Sequence, residues 1–351
     1  MMHTHTQTRL RSYSTPLLLS LSLLALTVLA VGLGDKALAR AMAEMLIRVT
    51  LVVALWIFVG NSGVISFGHA GYMCIGAYMS AWLTLKPTMK ALLLPGLPDW
   101  LAQAQWPVFP AALAGGTLAA AVGLLSGAAI LRLSGIAASI ATFAFLAIVN
   151  TVYSNWEDVT GATSSVVGLP RYVDAWVALA WSVAAILVAS LYANSGSGLA
   201  LRATREDEVA AQSSGIDMYR HRLLSLVISA FFTGVAGALL GHFIGVLNPD
   251  SFYLGLTFIA LAMLVVGGIG SLTGAVAGVV VLSVAIEVLV RLEQGFDLGD
   301  AHLAIPNGTQ EIVIGMAMIV ILILRPSGLT GGREWTLSRR LFQTKGRPKQ
   351  A

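Results

Sequence analysis

Charge is what this chain has least of. Only 11% of its 351 residues are Asp, Glu, Lys or Arg, against about 25% in a soluble globular domain. So few charges cannot cover a water-facing surface, which excludes a soluble globule. Cysteine is nearly missing too: Cys74 is alone and lies within an apolar run, so neither a disulfide framework nor a cysteine-based metal site is available. No lysine follows a glycine, which removes the phosphate loop of P-loop NTPases. No histidine precedes a glutamate, and no G-x-S-x-G occurs, so zinc-protease and serine-hydrolase signatures are absent. No long basic run with interleaved aromatics exists, which argues against nucleic acid as a partner. The sequence asks for no cofactor and no metal, and gives no reason to expect an enzyme.

What is present is apolar length. Residues of the AVILMFWYC set make up 57% of the chain, and the mean hydropathy is +0.81. Crossing about 30 Å of hydrocarbon takes about 20 apolar residues in a helix. Runs of that kind fall near 17–33, 42–60, 64–85, 108–131, 135–153, 176–193, 223–246, 254–269, 271–291 and 311–325. The fold expected is all-α, a polytopic transmembrane bundle of about ten spans (eight to ten). The eighth run is short and joins the ninth across Gly267, Gly268 and Gly270. Three parts follow: a cytoplasmic tail at 1–16, a membrane domain at 17–325 with a polar loop at 194–222, and a basic cytoplasmic tail at 326–351.

Lys and Arg set the orientation, because they collect on the cytoplasmic side. With the N-terminus inside, Arg9, Arg11, Arg132, Arg202, Arg205, Arg220, Arg222, Arg325, Arg333, Arg339, Arg340, Lys345, Arg347 and Lys349 all lie inside. Lys36, Arg40, Lys86, Lys90, Arg171 and Arg291 lie outside, with most acidic loop residues. The first run, with Ala37-Leu38-Ala39 after it, also has the layout of a cleaved secretory signal. Its apolar core is longer than the about 7 to 15 residues usual there, so a retained anchor is expected.

The most informative segment is the polar island Gly198–Arg222, GLALRATREDEVAAQSSGIDMYRHR. Thr204 with Asp207 three residues on predicts a helix start, and Gly215 followed by Ile216 predicts its stop. Asp217 is placed to cap the next helix. The helix between, roughly 205 to 214, is about 15 Å long and too short to stand alone. Val209, Ala210, Ala211 and Ser213 give it a face of low relief, suited to seating against another protein.

Two glycine patterns accompany it. Gly237, Gly241 and Gly245 are four apart, as are Gly270, Gly274 and Gly278, and Gly123 with Gly127. Four residues advance a helix about 40° past a turn, so each set forms a near-straight groove for close helix packing. The stretch Gly60–Trp82, GNSGVISFGHAGYMCIGAYMSAW, sets glycines beside Asn61, Ser66 and His69 at membrane depth. Irregular backbone is tolerated there only inside protein or along a cavity. A re-entrant start to span three is therefore expected, with Asn61, Ser66 and His69 as candidate lining of a translocation path. For His69 a hydrogen-bonded packing role stands beside that reading. Glu44 with Arg48, and Glu287 with Arg291, have i,i+4 spacing and read as structural pairs. Apart from His242 no unpaired ionisable group sits mid-span, which weakens a gradient-driven carrier.

At this point the residues fit a known family. The run 198–241 resembles the permease subunits of branched-chain amino acid ABC importers, the LivM branch. Glu208, Ala210, Ala211 and Gly215 match the E-A-A…G cytoplasmic loop of importer permeases, with Val209 inserted after the Glu. GVISFGHAGYMCIGAY at 63–78, NWEDVTGATSSVVGLP at 155–170, GGIGSLTGAVAG at 267–278 and RPSGL at 325–329 are similar to that family in the same order. One departure is Ala162-Thr163-Ser164-Ser165, where the family usually continues with glycine and Asn. The resemblance implies an inner-membrane importer of two permeases, two ABC ATPase subunits and a periplasmic solute-binding protein. The loop helix would couple to the ATPase. Related systems carry urea, short amides and aromatic acids, so the cargo stays open. The rival readings are a standalone secondary transporter or channel, and a membrane-embedded enzyme. The latter would need a His, Asp or Ser cluster at one leaflet, which is not found.

Overall fold

The computed structural model describes residues 2–294, 296–298, 301–303, 306, 308–325 and 327–335. In chain order the helices begin with α1 (Met2–Gly32), α2 (Lys36–Ser62), α3 (His69–Thr84), α4 (Pro87–Leu93), α5 (Asp99–Ala102), α6 (Val108–Ile130), α7 (Gly135–Asn155) and α8 (Glu157–Thr160). Strand β1 (Val166–Val167) leads to α9 (Ala175–Ala193), α10 (Gly196–Glu206), α11 (Glu208–Ser213) and α12 (Met218–Ile244). Then come β2 (Val246–Leu247), a 3-10 turn at Pro249–Phe252, α13 (Leu254–Gly267) and α14 (Leu272–Gln294). Strands β3 (Phe296–Leu298) and β4 (Ala301–Leu303) precede α15 (Thr309–Leu324).

Eight of the described helical segments are long and apolar enough to cross a membrane. The other two runs read from the sequence are α3 and α15, of 16 residues each, or about 24 Å at about 1.5 Å per residue. The shortfall of α3 is made up by residues 63–68, which are not helical. Between the left-handed Gly63 and Gly68 in the right-handed helical region, residues 64–66 add roughly 10 Å at about 3.3 Å per residue.

The core is built around α2 and α12. α12 packs on α6, α3 and α2, while α2 also packs on α9 and α14. Lipid supplies no hydrophobic drive between helices, so small residues and buried hydrogen bonds hold them. Gly76 of α3, Gly115 of α6 and Gly234 of α12 meet backbone to backbone, with no room for a β-carbon on any of them. Ser225 donates to the Ile57 carbonyl at 2.8 Å, and Ser229 donates to that of Ala54.

The connections gather on two opposite faces. On one, Gly96 N–H reaches Asp158 O at 2.9 Å, Trp82 Nε1 reaches Val159 O at 2.9 Å, and β1 pairs antiparallel with β2. Lys90 is buried there, its ammonium donating to the carbonyls of Leu101 and Ala104. Burial pushes that ammonium below the ordinary lysine pKa. The opposite face carries α10, α11 and the turn between α13 and α14. The loops at 86–106, 156–174 and 245–253 share the first face, and 131–134, 194–217 and 267–272 the second, as alternate crossings require.

Three expectations gain detail. Residues 2–16 are helical, α1 running unbroken from Met2 through Pro16, and the apolar span within it begins at Ser14. Residues 327–335 fold back on the α13–α14 turn. Leu329 N–H donates to Val266 O at 2.9 Å, and the Glu334 carboxylate accepts from Leu272 N–H, Thr273 N–H and the Thr273 hydroxyl at the start of α14. An acidic cap at a helix N-terminus is favourable on charge and hydrogen-bonding grounds. The rest of the basic tail, 336–351, lies outside the described residues. The glycine grooves are also only partly helical. Gly237 and Gly241 lie on α12, but Gly245 is its left-handed stop at φ +83°. Gly274 and Gly278 press on Gly267, whereas Gly270 sits in the turn.

Candidate functional site

The polar island is a chain of capped short helices. Ser195 caps α10 by accepting from Gly198 N–H at 3.2 Å. α10 then runs through Thr204, whose hydroxyl donates back to Leu201 O. The helix start predicted at Thr204 is therefore displaced to Asp207, whose carboxylate accepts from Ala210 N–H at 2.9 Å. α11 covers only Glu208–Ser213, shorter than the expected 205–214. Its stop is as predicted: Gly215 takes φ +83°, and Ile216 N–H returns to Ala211 O at 3.1 Å. Asp217 caps α12 through Arg220 N–H at 3.2 Å.

The six residues of α11 divide by face. Val209 is 76% exposed, with Ala210 and Ser213 exposed beside it. Ala211 is buried and Glu208 half-buried, both turned toward the bundle. The four matched loop positions are thus not equivalent: Ala210 and Gly215 are presented outward, Glu208 and Ala211 hold the helix down. Glu208 pairs with Arg222 of α12 at 3.6 Å. The Arg222 side chain is only 4% exposed, and its Nε and Nη1 have no partner. Other ties run from the island to the helix ends. Arg205 Nη1 donates to Gly60 O at 2.7 Å at the end of α2, and Ser197 bonds His221 Nδ1 at 2.9 Å. α11 is thus tied by a side chain to α12, and α10 to the end of α2.

The second locus is the break between α2 and α3. α2 ends in a left-handed cap at Gly63, φ +74°, packed under Arg205. From there residues alternate, with Gly63 and Ile65 exposed and Val64 and Ser66 buried, the period of an extended strand. Phe67 N–H donates to Thr142 Oγ1 at 3.1 Å, and the Phe67 ring meets Phe143 and Phe258 edge-on. α3 then opens at His69. Ser229 gives its one proton to Ala54 O, so it accepts from His69 Nε2–H, 2.7 Å away. The other ring nitrogen, Nδ1, therefore accepts from the Ser66 hydroxyl at 2.9 Å. Ser229 lies about 16 Å along α12 at about 1.5 Å per residue, which puts this histidine well inside the bundle.

Among the three residues predicted to line a path, Ser66 and His69 meet and border a small void with Thr257. Asn61 stands apart: it is fully buried, its amide donating to Ile57 O at 2.9 Å, with Oδ1 unpartnered. His242 is held at both ring nitrogens. Nδ1–H donates to Pro170 O at 3.0 Å, and Nε2 accepts from Ser80 at 2.8 Å. The Glu44–Arg48 and Glu287–Arg291 pairs form as expected. Arg222, Ser229 and Glu334 were not singled out from the sequence. Only the basic residue at the foot of a long span carried a signal, and it was read as orientation.

Comparison with known proteins bears on this arrangement. Residues 37–322 match the model of a family described as branched-chain amino acid transport system / permease component. The chain belongs to that family. It is 27% identical over 335 residues to the high-affinity branched-chain amino acid transport system permease protein LivM of Salmonella typhimurium, covering 86% of this chain and 72% of that one. The LivM protein of Escherichia coli strain K12 is 28% identical over 318 residues, 81% of this chain and 68% of the relative. LivH of Salmonella typhimurium is 36% identical over 138 residues, 39% of this chain and 40% of its own. No solved structure matches. Two of the segments matched to the family in the sequence, 267–278 and 325–329, also meet in the fold. The glycine turn at 267–270 is covered by 327–330, and Trp56 Nε1 donates to Ile269 O at 3.0 Å.

Proposed function

We propose that this family member is the membrane-spanning permease subunit of an ATP-driven importer in a bacterial inner membrane, and that α11 is the contact for a separate ATPase subunit. The observation that carries this is the division of α11: a small exposed face of Val209, Ala210 and Ser213, tied inward by Glu208 to Arg222 at the foot of the central helix. The bias of Arg202, Arg205, Arg220, Arg222 and Arg132 supports a cytoplasmic position for that face. A second permease of the same family and a periplasmic solute-binding protein complete the assembly. The cargo is branched-chain amino acids or a related small polar solute.

ATP binding closes the motor subunits, α11 moves with them, and the pull passes through Glu208–Arg222 to α12. Such coupling works through rigid elements with two arrangements. α12 carries Ser229, and with it His69 and Ser66 at the break before α3. That break is the proposed path element, since irregular backbone at depth belongs inside protein or along a cavity. Alternating access is then a shift of α12 relative to the 63–68 segment.

The test is Ala210→Trp. The residue is exposed, so the variant should insert at normal level, yet co-purify with less than about a tenth of the wild-type ATPase and lose uptake in proportion. Full uptake with full ATPase recovery would remove α11 from the mechanism.

A further inference from the structure

The loop face carries an open cavity of about 540 Å³ between the end of α12 and the 3-10 turn. That is within the roughly 300–1,000 Å³ of small-molecule sites. Its walls divide by chemistry. Leu240, Ile244 and Phe252 make an apolar side, and Ser165, Asp250 and Ser251 bring polar groups to it. Asn248 also borders it but is already engaged: its Oδ1 accepts from Asp250 N–H at 2.9 Å, and its Nδ2 donates to Thr163 O at 3.1 Å. It serves to hold the turn.

The other polar groups have capacity to spare. Among the described residues, the Asp250 carboxylate meets one donor, the Asn150 amide, at 3.3 Å. Among the described residues the Ser165 and Ser251 hydroxyls meet no hydrogen-bond partner. Among the described residues no Lys or Arg lines the cavity, although Arg171 packs on Gly245 behind its wall, so the charge that faces it is one carboxylate. The cavity thus offers one anionic group, two free hydroxyls and an aliphatic-aromatic wall. A carboxylate with unfilled acceptor sites is matched by an ammonium group, whose three donors it binds with charge-assisted bonds. The wall suits a branched aliphatic chain.

We infer that this cavity is a solute site at the periplasmic mouth, taking a small aliphatic solute with an ammonium group, read by Asp250 and set for size by Ser165 and Phe252. It rests on the permease function proposed above and adds to it a place where the permease itself selects.

The test uses the assembled importer in intact cells, with Ser251→Cys as reporter. Cys74 is the one native cysteine and is buried, so background labelling is low. Impermeant methanethiosulfonates of opposite charge are applied from outside. Relative to a free thiol, the cationic reagent should react about tenfold faster than the anionic one at low salt, as one carboxylate about 6 Å away implies at the dielectric of water, about 80, which raises one rate and lowers the other. Added Asp250→Asn should bring the two rates together. Leucine and leucinamide at millimolar level should slow labelling, while isocaproate, which lacks the ammonium, should not. No labelling from outside, a charge ratio unchanged by Asp250→Asn, or protection by isocaproate would each overturn the inference. Uptake by the same cells separates the two proposals. Failed labelling with ATP-dependent uptake intact defeats the mouth site alone, whereas uptake independent of ATP defeats the permease function itself.

Discussion

Ser229 has one hydroxyl proton and two neighbours that could use it, Ala54 O and His69 Nε2, and the geometry decides where it goes. Its hydroxyl donates to Ala54 O, accepts from His69 Nε2, and so joins α2, α3 and α12 at one point. Ser229→Ala would leave the His69 N–H buried without an acceptor, at a cost of about 1–3 kcal/mol. Thermal unfolding in detergent should show it as a lower midpoint, and an unchanged midpoint would mean that water takes the place of the hydroxyl. Gly237→Ala tests packing instead. A β-carbon there would overlap the Met73 carbonyl, and backbone cannot yield as a flexible side chain can. A loss of about 1–3 kcal/mol is expected from such overpacking, read as reduced folded yield in size-exclusion profiles. His69 stood out in the sequence because a titratable group at membrane depth is rare. Its partner 160 residues away could not be read, since one serine on an apolar helix looks like any other. Gly245 was misread for a related reason: i,i+4 spacing cannot tell the last groove residue from the residue that ends the helix.

At the scale of the element, α11 shows which signals are local. Its left-handed stop at Gly215 and the Asp217 cap of α12 were legible because both depend on residues a few positions away. Its start was displaced because Thr204 and Asp207 both carry capping side chains, and α10 extends through the first to end at the second. Asp207→Ala should cost roughly 1 kcal/mol of local stability, measurable as faster amide exchange confined to 208–214. The tie of α11 to the bundle makes a sharper prediction. Removing Glu208 alone leaves a buried guanidinium with no charged partner, while replacing both members leaves none. Glu208→Ala should therefore lower thermal stability more than Glu208→Ala combined with Arg222→Met. The opposite order would mean that Arg222 is satisfied by other groups. The third span shows the limit of hydropathy. Apolar composition marked 64–85 as a crossing, but only its glycines and polar residues hinted that the first third is extended, and where helix resumes depends on Thr142 and Ser229 from distant helices.

For the molecule as a whole, composition carried most of the outcome. Few charges, long apolar runs and basic residues on alternate connections are enough for a polytopic bundle, and every run read from the sequence contains a helix in the fold, although the third begins outside one. What composition could not supply is adjacency: that α2 and α12 form the centre, that 327–335 seals the α13–α14 turn, or that the loops at 163–165 and 248–251 meet around a cavity. These arise from contacts across long sequence separation, and they place the two proposed working regions at opposite ends of α12. That helix joins a handle on one face to a mouth on the other. The most direct measurement of this account is the sidedness of Val209→Cys labelling by an impermeant maleimide. Cells should leave it unlabelled, inside-out vesicles stripped of the ATPase should label it fully, and adding the ATPase back should protect it. Labelling from outside intact cells, or labelling indifferent to the ATPase, would contradict the account.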